Sequence, residues 1–263
     1  SGIGEASARH AAAAGYNICG VYLGRSRGEK LDAAIAAVKA TGVEALYIRG
    51  NAADDEKRAE VIAQLKDRFA ASKSAGRDPQ LGIVLHSLAF GSLQPFLPDG
   101  EVPTITRKQM EMTSDVMAHS LVYWVQDLYA AGLIGATTRI FATSSEGASK
   151  AVPMYGAVSA AKAAVEAHCR QLAIELAALV PQPHHREAVE HRDVLFLPGH
   201  AHVVQIGRRV DHRFGTRAVL QVHQDDVGTG LLGGVDAVHQ RGVELVRVDR
   251  ADGIESPGLP DYQ

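Results

Sequence analysis

The chain has 263 residues, 46% hydrophobic and 22% charged, a balance that supports one globular domain with a sizeable core and excludes a disordered chain. A net charge of -3 gives no electrostatic reason to expect nucleic acid or an anionic membrane as partner. No apolar run approaches the roughly 20 residues that cross a bilayer and no secretory signal precedes the first motif, which predicts a cytoplasmic protein.

In chain order, Ser1-Gly2-Ile3-Gly4 is a glycine turn leading into an Ala-rich helix. Residues 17–23 read as a strand, and the loop Gly24-Arg25-Ser26-Arg27 leads to a helix over 29–40 that Gly42 stops. Residues 43–48 form the next strand, and Asn51-Ala52-Ala53-Asp54 opens a helix over 55–71 with Asp54 as a candidate N-cap. A polar loop over 72–80 precedes a strand over 81–86, and the Pro- and Gly-rich stretch 91–106 is a loop. A helix over 113–131 carries Asp115, His119 and Ser120 among apolar residues, so its Met and aromatic side chains read first as core or interface. His119 and Asp115 sit four apart, a pair commonly found on an ordinary helix surface, and no metal set is expected. Cys19 falls in a strand and Cys169 in a helix, which predicts buried free thiols.

The most informative stretch begins at Arg139. Residues 139–143 are a short apolar strand broken by Ser144, Ser145, Glu146 and Gly147, and from Pro153 onward small and apolar residues recur at helical spacing. Tyr155 starts that helix. Lys162 follows seven residues later, about two turns at 3.6 residues per turn, which returns it to the face of Tyr155. A phenol of pKa about 10 is a poor acid at neutral pH unless a nearby ammonium stabilises the phenolate, so the pair is a candidate acid or oxyanion donor. A Tyr and a Lys at this spacing also arise by chance, and only their setting distinguishes the two cases.

These residues resemble the short-chain dehydrogenase/reductases, and the spacing Tyr155-x6-Lys162 resembles the enoyl-acyl-carrier-protein reductase branch, with Ser159 standing where most members have the lysine. The small residues Ala160, Ala161, Ala163 and Ala164, followed by an acid at Glu166, fit the same branch, and the resemblance covers residues 1–179. It implies a doubly wound, Rossmann-type parallel sheet. Gly2, Ile3 and Gly4 look like the end of the glycine-rich pyrophosphate turn, with the first glycine and the preceding strand missing, so the sheet is expected to lack its first strand. An ordinary glycine turn is the alternative. Arg25, Ser26 and Arg27 would meet the adenosine ribose, where Arg accepts a 2'-phosphate, and the absence of an acid there implies NADPH over NADH; a solvated basic loop is the alternative.

Asn51 and Ala52 resemble the turn against the adenine. His86-Ser87-Leu88-Ala89-Phe90-Gly91 resembles the segment beside the cofactor, which makes Ser87 and Ala89 binding residues and leaves His86 as a packed strand-end histidine. Tyr155 would hydrogen-bond a thioester carbonyl, Lys162 would hold the nicotinamide ribose, and Ser145 stands where this branch has an aromatic residue. The implied reaction is reduction of the double bond of a trans-2-enoyl thioester on acyl-carrier protein or CoA, by a homotetramer or dimer. Two rivals are a carbonyl or alcohol oxidoreductase, using Ser144 or Ser145 with Tyr155, and a cofactor-free, inactive homologue.

Beyond residue 179 the pattern changes. No lysine follows Lys162, and eight of the twelve histidines lie between His184 and His239. Without CxxC or HExxH spacing these do not read as a metal site. Residues 193–199 resemble the sixth strand, 225–228 the start of the last helix and 243–249 the last strand, within a single domain over 1–263.

Overall fold

The computed structural model describes residues 2–23, 28–76, 79–179, 194–196, 201–206 and 217–227. All of its elements fall in the compact unit Ser1–Gly230; a second unit, Leu231–Gln263, lies outside the described residues, as does the strand expected over 243–249.

Helix α1 (Gly2–Ala13) leads to strand β1 (Asn17–Tyr22), α2 (Gly28–Lys39), β2 (Ala45–Arg49), α3 (Asp55–Ser74) and β3 (Gln80–Gly91). Helix α4 (Arg107–Ser114), a π-turn (Asp115–His119) and α5 (Ser120–Ala130) run on to β4 (Arg139–Ser145) and α6 (Gly156–Leu179), and then to β5 (Val194–Phe196), β6 (Ala201–Ile206) and β7 (Arg217–Val227). The fold is a Rossmann-like α/β sheet with order β2-β1-β7-β3-β4-β6-β5.

Both faces of the sheet are covered, as alternation along β1 requires. Cys19 and Val21 join a core with Val61, Ile62 and Leu65 of α3 and with apolar residues of α5 and α6, whereas Ile18 packs with Ala8, Ala12 and Val38 of α1 and α2. Both cysteines are free and buried, as expected, and burial pushes each thiol up to about 12. Asp54 does cap α3, its carboxylate accepting from the Lys57 amide at 2.8 Å. Gly42 ends the turn after α2 in the left-handed region, at φ 84°. Among the described residues no helix is long and apolar enough to cross a membrane.

The first strand is lacking from the described elements, and three other expectations need correction. The slot of that strand is filled from later in the chain: β7 lies between β1 and β3, parallel to both, pairing Val219 with Ile18 and with Ile83. A central slot left empty would strand two rows of buried backbone amides and carbonyls, each costing about 1–3 kcal/mol, so a later segment occupies it. Asp225–Val227 therefore belongs to this strand and does not begin a helix. The sheet is also mixed, because β6 is antiparallel to β4 and β5, from the expected sixth strand, is antiparallel to β6 at the edge. Finally, the helix expected from Thr113 begins at Arg107. Thr106 and Gln109 form a capping box, and the run continues through the π-turn into α5.

Candidate functional site

Strands β1, β2, β3 and β4 all run the same way through their parallel ladders, so Tyr22, Arg49, Gly91 and Ser145 end on one edge of the sheet. The short connection Ala14–Tyr16 reverses the chain between α1 and β1, which directs the start of α1 toward that edge.

Just beyond β4, a single 3-10 turn (Glu146–Ala148) carries the chain away from Ser145. The Tyr155 hydroxyl donates to Ser145 Oγ at 3.3 Å, and the same oxygen accepts from the Gly147 amide at 3.2 Å. Gly147 is needed here because a Cβ would stand 2.6 Å from Tyr155 Cδ1. Tyr155 sits one residue ahead of α6 and its carbonyl accepts the Ser159 amide at 2.8 Å, so the helix start fixes the ring's root.

Lys162 is buried, with 3% of its surface exposed, and its Nζ donates to the backbone carbonyls of Thr143 (2.7 Å) and Leu88 (3.0 Å). Burial lowers its pKa from 10.5 to about 8. One turn further along α6, Glu166 Oε1 accepts from Ser144 Oγ at 2.6 Å. The Tyr155-to-Lys162 spacing thus delivers both side chains to the end of β4, as the helical periodicity predicts. The hydrogen bonds of Lys162, however, go to backbone.

The expected cofactor residues divide. Gly2, Ile3 and Gly4 form the first turn of α1, with Gly2 exposed and Gly4 buried. Asn51 and Ala52 follow β2: Asn51 Oδ1 accepts from the Ala53 amide, and the Ala52 carbonyl accepts from Trp124 Nε1 at 2.8 Å. Ser87 and Ala89, expected in a segment that has left its strand, remain in β3 and pair with His223 and Asp225 of β7. That pairing is a consequence of β7 filling the central slot. Arg25, Ser26 and Arg27 lie outside the described residues. A dinucleotide laid along this edge would meet a glycine turn at a helix start, a strand-end loop and the Tyr155–Ser145 pair in sequence, so the residues present fit one.

His86 is packed, as expected. It is 1% exposed, its Nε2 meets Ser120 Oγ at 2.8 Å, and burial, with the Lys162 charge second, lowers its pKa to about 3. Ser120 Oγ already donates to the Val116 carbonyl, which assigns the imidazole proton to Nε2 and leaves Nδ1 as an acceptor with no partner among the described residues. Sequence reasoning missed two contacts. His119 Nδ1 lies 3.1 Å from His168 Nε2 across α6, a tertiary pairing with no local signal. Trp124, the single tryptophan, could have been picked out as the anchor of the Ala52 loop by its need for an acceptor. Among the described residues no group of three metal-ligating side chains converges.

A helix-flanked, mostly parallel sheet with a strand-end serine, a tyrosine just ahead of the next helix and a lysine on it fits a nicotinamide-dependent oxidoreductase fold. The family described as Enoyl-(Acyl carrier protein) reductase matches residues 1–179, and the chain belongs to it, within the short-chain dehydrogenase/reductases. Among solved structures, the enoyl-(acyl-carrier-protein) reductase of Anaplasma phagocytophilum in complex with NAD is 21% identical, with a TM-score of 0.50 over 65% of this chain and 59% of that one. Acetoin dehydrogenase from Enterobacter cloacae is 22% identical, with a TM-score of 0.54 over 68% and 64%. A dehydrogenase of Burkholderia cenocepacia with bound NADP is 18% identical, with a TM-score of 0.54 over 68% and 61%. The chain therefore spans less than two thirds of the length of each of these structures, and the likeness is one of fold.

Proposed function

We propose that the protein reduces the carbon–carbon double bond of a trans-2-enoyl thioester, carried on acyl-carrier protein or CoA, with NADPH as reductant. The observation that carries this reading is the Tyr155 hydroxyl resting on Ser145 at the carboxyl edge, with Lys162 on the helix that begins at the next residue. The family match over residues 1–179 supports it. NADPH, when bound, supplies the hydride that adds to C3 of the substrate. Tyr155 donates a hydrogen bond to the thioester carbonyl as its oxygen gains enolate charge, and the enolate then takes a proton from water at C2. Lys162 contributes positive charge next to that oxygen and a donor for the nicotinamide ribose, which requires its Nζ to exchange one backbone carbonyl for a ribose hydroxyl. Gly2, Ile3 and Gly4 would receive the pyrophosphate, Asn51 and Ala52 the adenine side, Ser87 and Ala89 the nicotinamide side, and Arg25 with Arg27 the 2'-phosphate. The enzyme is read as acting as a dimer or tetramer in the cytoplasm.

A second reading has its own observation. Ser145 stands where the enoyl reductase branch has an aromatic residue, and its hydroxyl contacts Tyr155 directly, a Ser–Tyr pair suited to polarising a ketone or an aldehyde. Steady-state assays with crotonyl-CoA and with a panel of small ketones, each with NADPH, separate the two. Turnover of the thioester alone supports the first reading. Turnover of ketones alone overturns it in favour of the second.

A further inference from the structure

Three consecutive residues at the end of β4 are each tied to the helix that follows. The Thr143 carbonyl accepts from Lys162, Ser144 Oγ donates to Glu166, and Ser145 Oγ accepts from Tyr155. Ser144 is 5% exposed, and its 2.6 Å contact falls in the range of a hydroxyl donating to an ionised carboxylate, the stronger class of hydrogen bond. The carboxylate's charge is also felt by Cys169, where it adds to the upward push of burial on the thiol. A serine hydroxyl has one proton, and that of Ser144 is committed to Glu166.

We infer that Glu166 is a positioning residue that withdraws Ser144 from the chemistry and clamps the end of β4 to α6, so that Ser145 is the hydroxyl presented to Tyr155. This rests on the reading of Tyr155 as the donor to substrate. Two adjacent serines offer themselves at this strand end, and they point to opposite sides of the strand. Glu166 engages the one on its own side and so anchors the strand end that carries both. It also fixes the register of Ser145 against Tyr155, because Ser144 and Ser145 share a peptide bond and cannot move independently.

The test uses the full chain and three variants. In Glu166→Ala the clamp is lost; in Glu166→Gln the amide oxygen still accepts from Ser144; Ser144→Ala removes the same bond from the other side with a smaller change of volume. With crotonyl-CoA and NADPH, Glu166→Ala and Ser144→Ala should each lose about tenfold to a hundredfold in kcat with KM little changed, the scale expected when a reacting group is misplaced by about an ångström. Glu166→Gln should retain kcat within about threefold, and the double variant Ser144→Ala/Glu166→Ala should be no worse than either single one.

A second readout does not depend on turnover. In protein carrying 13C-labelled tyrosine, the Tyr155 resonance, assigned by its loss in Tyr155→Phe, should shift in Glu166→Ala and Ser144→Ala and return in Glu166→Gln. An unshifted Tyr155 resonance with full kcat in a folded Ser144→Ala protein would overturn the inference. Glu166→Gln as impaired as Glu166→Ala would overturn it too, by showing that the charge matters and not the bond. Wild-type protein inactive on thioester and ketone alike would instead overturn the proposed function, while the resonance shifts would still judge the clamp.

Discussion

Replacing Lys162 by methionine should stabilise the cofactor-free protein while abolishing its activity. The side chain is 3% exposed, and burial brings its pKa from 10.5 to about 8. At about 1.4 kcal/mol per pH unit, holding this ammonium charged inside the fold costs about 3 kcal/mol. Methionine fills nearly the same volume without charge, but leaves the carbonyls of Thr143 and Leu88 without their donor, a loss of about 1 kcal/mol each. The net gain is about 1 kcal/mol at pH 7, which in a domain of this size raises Tm by about 2–4 °C.

The pH dependence provides a sharper criterion. Between about 8 and 10.5 the folded lysine is neutral while the unfolded one is still protonated, so the unfolded state binds more protons and wild-type stability rises with pH across that window. Lys162→Met lacks the rise, and its advantage should shrink above pH 8 and reverse by about pH 10. The buried thiols of Cys19 and Cys169, held at about 12, act in the opposite sense at high pH; they are common to both proteins and largely cancel in the difference. Urea unfolding of both proteins at pH 7, 8.5 and 9.5 measures it. A methionine variant that is less stable at pH 7, by a margin that does not change with pH, would refute the reasoning.

Gly147→Ala should fold but lose at least about tenfold in kcat, because its Cβ, 2.6 Å from Tyr155 Cδ1, forces the ring off Ser145; kinetics alongside circular dichroism checks both halves. For His86 the folded pKa of about 3 lies below the unfolded 6.5, so its contribution to stability is complete above 6.5 and is lost as the pH falls toward 3. Between pH 6.5 and 4.5 that loss is about 2–3 kcal/mol, measured as the urea-unfolding difference from His86→Gln, which does not titrate. If Arg25 and Arg27 read a 2'-phosphate, replacing both by alanine should erase a roughly ten- to hundredfold preference for NADPH over NADH and leave NADH turnover nearly unchanged. Equal losses with both cofactors would assign the arginines to the fold instead.

Local periodicity by itself determined the alternation of strands and helices up to Leu179, the buried thiols, the Asp54 cap and the delivery of Tyr155 and Lys162 to the end of β4, because each depends on residues within one or two turns of one another. The capping box of Thr106 and Gln109 was equally local, and the T-x-x-Q pattern could have placed the helix start. Only the tertiary structure decided the rest. The sequence predicts a sheet with a missing strand, but the slot between β1 and β3 is held by β7, some 130 residues further on from β3, since a central parallel sheet position must have both its neighbours' hydrogen bonds satisfied. The same pairing keeps Ser87 and Ala89 in β3. Which of two adjacent serines meets Tyr155 was equally undecidable from residue types, because Ser144 and Ser145 differ only in what the fold sets against them: a carboxylate from the body of α6 on one, the tyrosine just ahead of it on the other.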